Sequence, residues 1–426
     1  MSIIKSFLAY SAGSLVVKTL LWIAVPIALY TVPPAVMGLW SLYNSFIALA
    51  AIVAALGLRQ VFFIEYYHKN AQERRVMLNE IILLYCAYAV PLFSGLWYLR
   101  RMVNYYFFAG KASDILFFSC FFACFISFFT ELLYQVLLYS RQTKLLIAVQ
   151  IGGAALTAVS SIAVLWYSAD TVVGLVISQI MGLLFVCACG AYLYYTKRVH
   201  YAAHALTRSK VYTYIINGLP FVPSVISFWC LSSVNRWLLA SYATLADVGI
   251  YSCAEMVSML FQMLILYPLS GAYLPLIMEQ FAQHKNDHTR IDMQNKQYML
   301  MGMSILLFVG TSLFFMGKPL LYMLIPATYS AVIPYLLLVG IGNIFLMGTY
   351  FVSCYIQYRK KSFFLAGSLI IAALINTALS SLLVPRYGVG GCIIASTIAY
   401  GAYFAITWWY NRVLHKAPYR TKMIIE

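Results

Sequence analysis

Residues 115–139 read ILFFSCFFACFISFFTELLYQVLLY, and this stretch decides the class of fold. It holds a single charge, Glu131, and its apolar residues face every direction around a helix. An amphipathic surface helix carries an apolar stripe, and a barrel strand alternates apolar with polar residues over about ten positions. This run does neither, and a run of roughly 20 apolar residues suffices to cross the hydrocarbon core as a helix. Working outward, comparable runs fall near 8–31, 36–58, 76–99, 114–139, 144–167, 170–195, 212–240, 250–277, 298–316, 331–356, 362–384 and 389–411. The expectation is an all-α polytopic membrane protein of about twelve transmembrane helices.

Composition agrees. Hydrophobic residues make up 63% of the 426 residues and charged residues 9%, against about 25% charged in soluble domains. The net charge of +16 does not point to nucleic acid, because the basic residues occupy short loops between apolar runs. With the N-terminus inside, 21 of the 28 Lys and Arg fall on the inner side, among them Arg59, Arg74, Arg75, Lys210, Lys360 and Lys361. Arg100, Arg101, Lys111, Lys318 and Arg386 fall outside, and Lys18 and Arg236 lie within spans. The positive-inside rule then places both termini in the cytoplasm. Lys5 and an apolar run without a small-residue cleavage motif read as a retained first helix, not a signal peptide. The outer loops are short, the longest near 100–113, so the activity resides within the membrane.

The nine Cys all lie in apolar segments and form no zinc-type pair, which fits helix packing. The six His fall in cytoplasmic segments, and no constellation around His200/His204 or His284/His288 completes a metal site. Neither a metal nor another cofactor is expected.

The chain carries a weak internal repeat. Met37-Gly38-Leu39-Trp40 returns as Val248-Gly249-Ile250-Tyr251, 211 residues later. The basic segment Arg141–Lys144 precedes the fifth span and Arg359-Lys360-Lys361 the eleventh, 218 later, and Gly174 and Gly391 are 217 apart. A shared spacing implies two six-helix lobes of like orientation, 1–195 and 212–426, joined by a cytoplasmic linker at 196–211. Parallel repeats are a recurring transporter plan with the substrate site between the repeats.

Ionisable groups inside spans cost free energy and usually face a cavity or a partner. Arg236 and Glu255 lie at similar depth on a helical hairpin. They form either a buried salt bridge or a cationic site in which Glu255 holds Arg236 for an anionic substrate. Lys18, in mid-span, reads as facing a water-filled, substrate-lined space. Glu131 is a partner for Lys18 or a carrier of a coupling proton. Arg59 is either a positive-inside anchor or a gatekeeper for phosphate, and Glu80 reads as interfacial. Pro268, Gly271 and Pro275 form the strongest hinge candidate, since intramembrane Pro frees a backbone carbonyl.

Three regions carry a family resemblance. They are Met37-Gly38-Leu39-Trp40 through Ala55-Leu56-Gly57-Leu58-Arg59; Gly218-Leu219-Pro220 through Asn235-Arg236-Trp237-Leu238-Leu239 and on to Val248-Gly249-Ile250-Tyr251; and Asn376 through Val384-Pro385-Arg386-Tyr387-Gly388-Val389-Gly390-Gly391. In order and spacing the chain resembles the polysaccharide-exporter branch of the multidrug/oligosaccharidyl-lipid/polysaccharide flippase superfamily, in particular the bacterial O-antigen flippases. Asn235 stands where members often place Asp. The resemblance implies a multi-pass protein of the bacterial inner membrane that flips an undecaprenyl-diphosphate-linked oligosaccharide. It is not an enzyme in this reading, and its partners are the lipid-linked glycan, the bilayer and, further off, polysaccharide polymerase and chain-length proteins. Lys18, Arg59 and Arg236 then become candidate contacts for the diphosphate. The rivals are a cation-coupled multidrug exporter of the same superfamily and, further off, a membrane glycan polymerase or glycosyltransferase. Lys18 in the first span argues against a carboxylate-lined drug cavity, and short outer loops argue against the enzymes.

Overall fold

The computed structural model describes residue 16, residues 27–66, 69–108, 110–140, 142–167, 171–196, 207–262, 325–359 and 361–416, and parts of 277–311. Lys18, Pro268, Gly271 and Pro275, and most of the linker expected at 196–211, lie outside these residues.

Among the described residues every regular element is helical. In chain order they are α1 (Pro34–Ala55), α2 (Leu58–Tyr66), α3 (Ala71–Tyr98), α4 (Arg100–Phe108), α5 (Asp114–Tyr139), α6 (Thr143–Tyr167), α7 (Thr171–Thr196), α8 (Arg208–Gly218), α9 (Val222–Tyr242), α10 (Leu245–Phe261), α11 (Leu336–Tyr358) and α12 (Ser362–Lys416). Lipid offers no hydrogen bonds, so a segment made of these residues must satisfy its backbone internally, and a helix does so without a partner strand. Eight stretches among the described residues are long and apolar enough to cross a membrane. One of them, Ser362–His415, covers two of the expected spans. A straight helix of its length would run about 80 Å. Gly388, with φ 52° and ψ −126°, breaks it between the two expected runs.

Helix ends follow local chemistry. Asn70 caps α3: its side chain accepts from the N–H groups of Gln72 and Glu73, and Glu73 accepts from the Asn70 N–H. Ser113 caps α5 by accepting from Leu116 N–H at 3.3 Å. The second expected span does not end at 58. It stops at Ala55, turns through Leu56 (φ 45°) and Gly57 (φ 73°), and resumes as α2, which carries Arg59. The seventh is interrupted by a short 3-10 turn, Leu219–Phe221, because Pro220 has no N–H to continue the ladder. The outer loop expected at 100–113 contains α4.

The chain divides into two compact units, residues 1–253 with 325–331, and residues 254–324 with 332–426. In the first, α1 is the central helix, packed against α5, α9, α7, α3 and α4. Its buried face includes Met37, Leu42, Tyr43, Phe46 and Ala54. The two glycine motifs of the repeat meet here. A Cβ on Gly38 would lie 2.0 Å from the Leu245 carbonyl oxygen, and one on Gly249 would lie 1.9 Å from that of Pro34. Each glycine thus sits against the carbonyl four residues before the other, the reciprocity a local twofold produces. Small residues permit such backbone approach in membrane helices. The two helix breaks also touch, with a Cβ on Gly57 landing 2.1 Å from the Gly218 oxygen. In the second unit, α11 packs along α12.

Candidate functional site

The α1–α9 seam of the first unit collects polar groups deep in the apolar helices. Ser41, Asn44 and Ser45 occupy one face of α1, at helical spacing. Asn44 donates to the Trp40 carbonyl at 3.0 Å and accepts from Gln179 Nε2 of α7 at 2.9 Å. Ser45 donates to the Ser41 carbonyl at 3.0 Å, and its own carbonyl accepts from Trp229 Nε1 of α9 at 2.9 Å.

Arg236 enters this seam from α9. It lies six residues before the helix end at Tyr242, about 9 Å along the axis. Helical side chains lean toward the N-terminus, and Arg236 follows: its Nη1 donates to the Ser232 carbonyl at 3.4 Å and to the Ser233 hydroxyl at 3.2 Å. The same nitrogen donates to Ser45 Oγ across the seam at 3.1 Å. Its neighbour Asn235 is fully buried and donates to Tyr251 Oη at 3.1 Å. The uncharged Asn therefore serves as a packed hydrogen-bonding residue.

Aromatic rings border the seam. Trp237 stands edge-on to Phe107 of α4, centroids 4.4 Å apart, and against Trp229 at 4.6 Å. Phe107 also meets Phe46 at 5.5 Å, and Phe108 meets Tyr43 at 4.9 Å. The indole N–H groups of Trp40 and Trp237 are buried without a hydrogen-bond partner. The seam can hold a cation in a fixed position, supply hydroxyl and amide groups, and present aromatic faces.

The other candidates fall in three places. Arg59 of α2 and Glu131 of α5 come together in an ion pair of 3.0 Å, with 23% and 52% of their side chains exposed. Glu255 is on α10 in the second unit, three residues before Ser258. Ser258 and Gln262 both donate to Asn343 Oδ1 of α11, at 2.9 and 3.2 Å. Glu80 is buried within the protein: its side chain is 3% exposed, and it accepts from Lys210 Nζ at 2.5 Å and Tyr214 Oη at 2.6 Å. Among the described residues no three His, Cys, Asp or Glu converge as a metal site.

The uncharged members of the seam were legible only as a pattern. Ser41, Asn44 and Ser45 recur at i, i+3 and i+4 within one apolar run, and Ser232, Ser233 and Arg236 at i, i+1 and i+4 in another. Gln179, beside Ser178 in its run, gave no such signal.

The family model described as polysaccharide biosynthesis protein matches residues 3–281. The chain belongs to the polysaccharide biosynthesis protein family. Among solved structures, this family member is similar to the lipid II flippase MurJ in its inward closed conformation, with 13% identity and a TM-score of 0.76. That match covers 95% of this chain and 87% of the other. It is also similar to an inward-facing MATE family multidrug resistance transporter of the MOP superfamily, with 14% identity, a TM-score of 0.73, and 98% and 95% of the two chains covered. At these identities the likeness establishes the fold. Among curated proteins, sequence comparison finds no match. Helices and fold together make this family member a multi-pass membrane protein whose fold is like that of MATE and MurJ.

Proposed function

We propose that this protein flips an undecaprenyl-diphosphate-linked oligosaccharide, an O-antigen or related repeat unit, across the bacterial inner membrane by alternating access, with twelve spans and both termini cytoplasmic. The observation that carries this reading is the Arg236 seam. An ionised diphosphate in hydrocarbon costs tens of kcal/mol in the idealised limit. A guanidinium keeps its charge in protein and offers a planar fork to phosphate oxygens. Anchoring of Nη1 by Ser45, Ser232 and Ser233 orients that fork and lowers the entropy lost when an anion binds. Trp237 and Phe107, both half-buried, provide faces on which sugar rings stack.

Membership of a polysaccharide biosynthesis family and a fold shared with a lipid II flippase support the cargo class. The likeness to multidrug transporters supports the rival, a cation-coupled exporter. Lys18 and Arg59 remain proposed contacts for the same diphosphate, Glu131 and Glu255 proposed charge partners or coupling groups, and Pro268, Gly271 and Pro275 a proposed hinge. No catalytic step or cofactor belongs to this reading; polymerase and chain-length proteins would act on the flipped product.

The test is transport by the purified protein in liposomes, read as protection of a fluorescent polyprenyl-diphosphate glycan from an added quencher. Arg236→Ala should slow flipping about 100-fold, the loss of two to three kcal/mol of charge-assisted contact, while Arg236→Lys retains part of it. Unchanged flipping by Arg236→Ala refutes the seam as the diphosphate site. Failure of the wild type to flip the glycan, together with cation-driven ethidium export, establishes the rival.

A further inference from the structure

A second polar place in the first unit has a different character. At the start of α3 a cleft of about 390 Å³ opens beside α8, lined in part by Lys69, Glu73, Val76, Met77, Glu80 and Lys210. Lys69 and Glu73 lie at the helix end, the level where a span meets the lipid headgroups. Val76 and Met77 follow one turn further in. Glu80, about 13 Å along the axis from the helix start, forms the buried floor with Lys210 and Tyr214 upon it.

The cleft's charges cancel, with two ammonium groups and two carboxylates. Lys69 additionally pairs with Glu65 at 3.2 Å. A diphosphate entering here would meet Glu73 and Glu80, and a simple cation would meet Lys69 and Lys210. Like charges at contact distance disfavour both. A ligand carrying one charge of each sign, a few ångströms apart, satisfies the lining. Its depth and its apolar wall add that the ligand is an amphiphile whose chains continue into the bilayer. The volume lies within the range of ligand pockets.

We propose that this cleft is a seat for the headgroup of a zwitterionic phospholipid with a primary amine, of the phosphatidylethanolamine class. Its phosphate meets Lys69 and Lys210, and its ammonium donates to Glu73. The bound lipid ties α3 to α8. The site is separate from the Arg236 seam and stands whether or not the flippase reading holds.

The test uses the full chain purified in mixed micelles holding equal phosphatidylethanolamine, phosphatidylglycerol and phosphatidylcholine, with retained lipid counted by native mass spectrometry. The wild type should retain phosphatidylethanolamine about tenfold over each of the others, one charge-assisted hydrogen bond's worth. Phosphatidylcholine has the same charges without N–H donors, and so separates hydrogen bonding from charge. Lys69→Gln combined with Glu73→Gln should abolish the preference. Gln at 73 still accepts from the Asn70 N–H, so the helix cap is kept. Equal retention of the three lipids, preference for phosphatidylglycerol, or a preference that survives the double substitution overturns the proposal.

Discussion

The α1–α9 seam and the α3–α8 cleft both bury polar side chains among apolar helices, yet they use different chemistry. The seam is made of hydroxyls, amides and the Trp229 indole grouped around Arg236, which hydrogen-bond to a neighbouring helix or to the preceding turn. The cleft lies at a helix end and is made of opposite charges, with Glu80 held by Lys210 and Tyr214. The physical reason is access to water. Far from water, neutral groups that satisfy one another cost less than charges. At the end of a span a charged side chain such as Lys210, 44% exposed, keeps its hydration while reaching a buried partner. The lesson is that a cation seated among hydroxyls within a span can serve binding as well as stability, whereas a charged pair at a span's end is first a structural tie.

That contrast can be broken by substitution, beginning with the largest expected effect. Glu80→Ala leaves Lys210 and Tyr214 facing a cavity without their acceptor. It should destabilise the protein by about 3 kcal/mol, the low end for breaking a buried pair because Lys210 is partly solvated, read as a fall in the thermal unfolding midpoint in detergent. A change below about 0.5 kcal/mol would erase the distinction between a tie and a surface contact.

Gly38→Val sharpens the seam side. The added side chain collides with the Leu245 carbonyl and should cost about 2 kcal/mol by overpacking, in the same unfolding measurement. The substitution should also lower flipping, because α1 carries Ser41, Asn44 and Ser45. Full stability with Val at 38 would show that the glycine contact is loose.

Arg59→Gln should do least. Half of the Glu131 side chain is exposed, and exposed pairs contribute about 1 kcal/mol or less and weaken with salt. A stability loss above about 2 kcal/mol would place this pair with Glu80. A large loss of flipping at unchanged stability would instead assign Arg59 to the diphosphate path.

Much of the fold was legible because crossing a membrane is a local property. Residues 115–139 announce a spanning helix whatever their neighbours are, and Gly388 falls between the two apolar runs it separates. The break at Leu56–Gly57 was less legible, since α1 and α2 read as one apolar run and only the φ of 73° at Gly57 shows the turn. Arg236 was legible as a charge in an apolar run. Its partner Ser45 is 191 residues away, and no local pattern names it. At the sequence level Glu131 was a partner for Lys18 or a carrier of a coupling proton; packing of α2 on α5 brings Arg59 to it. Glu80 read as interfacial from its distance to the helix end; that Lys210 and Tyr214 of α8 cover it is decided by packing. His415, in the last turn of α12, is ring-stacked on Tyr355 at 4.6 Å and lies 2.7 Å from Asn295, contacts that no local pattern names.

The amino-acid sequence by itself determined that this chain is helical, that it lives in lipid, and that Arg236 sits within a span. Each of these follows from transfer free energies that add residue by residue along a helix. Tertiary structure alone decided which groups surround that charge, that the glycines of the repeat meet, and that Glu80 is sealed under Lys210 and Tyr214. Those outcomes depend on which helix faces touch, and contact between segments more than two hundred residues apart is a property of packing, not of any run of sequence.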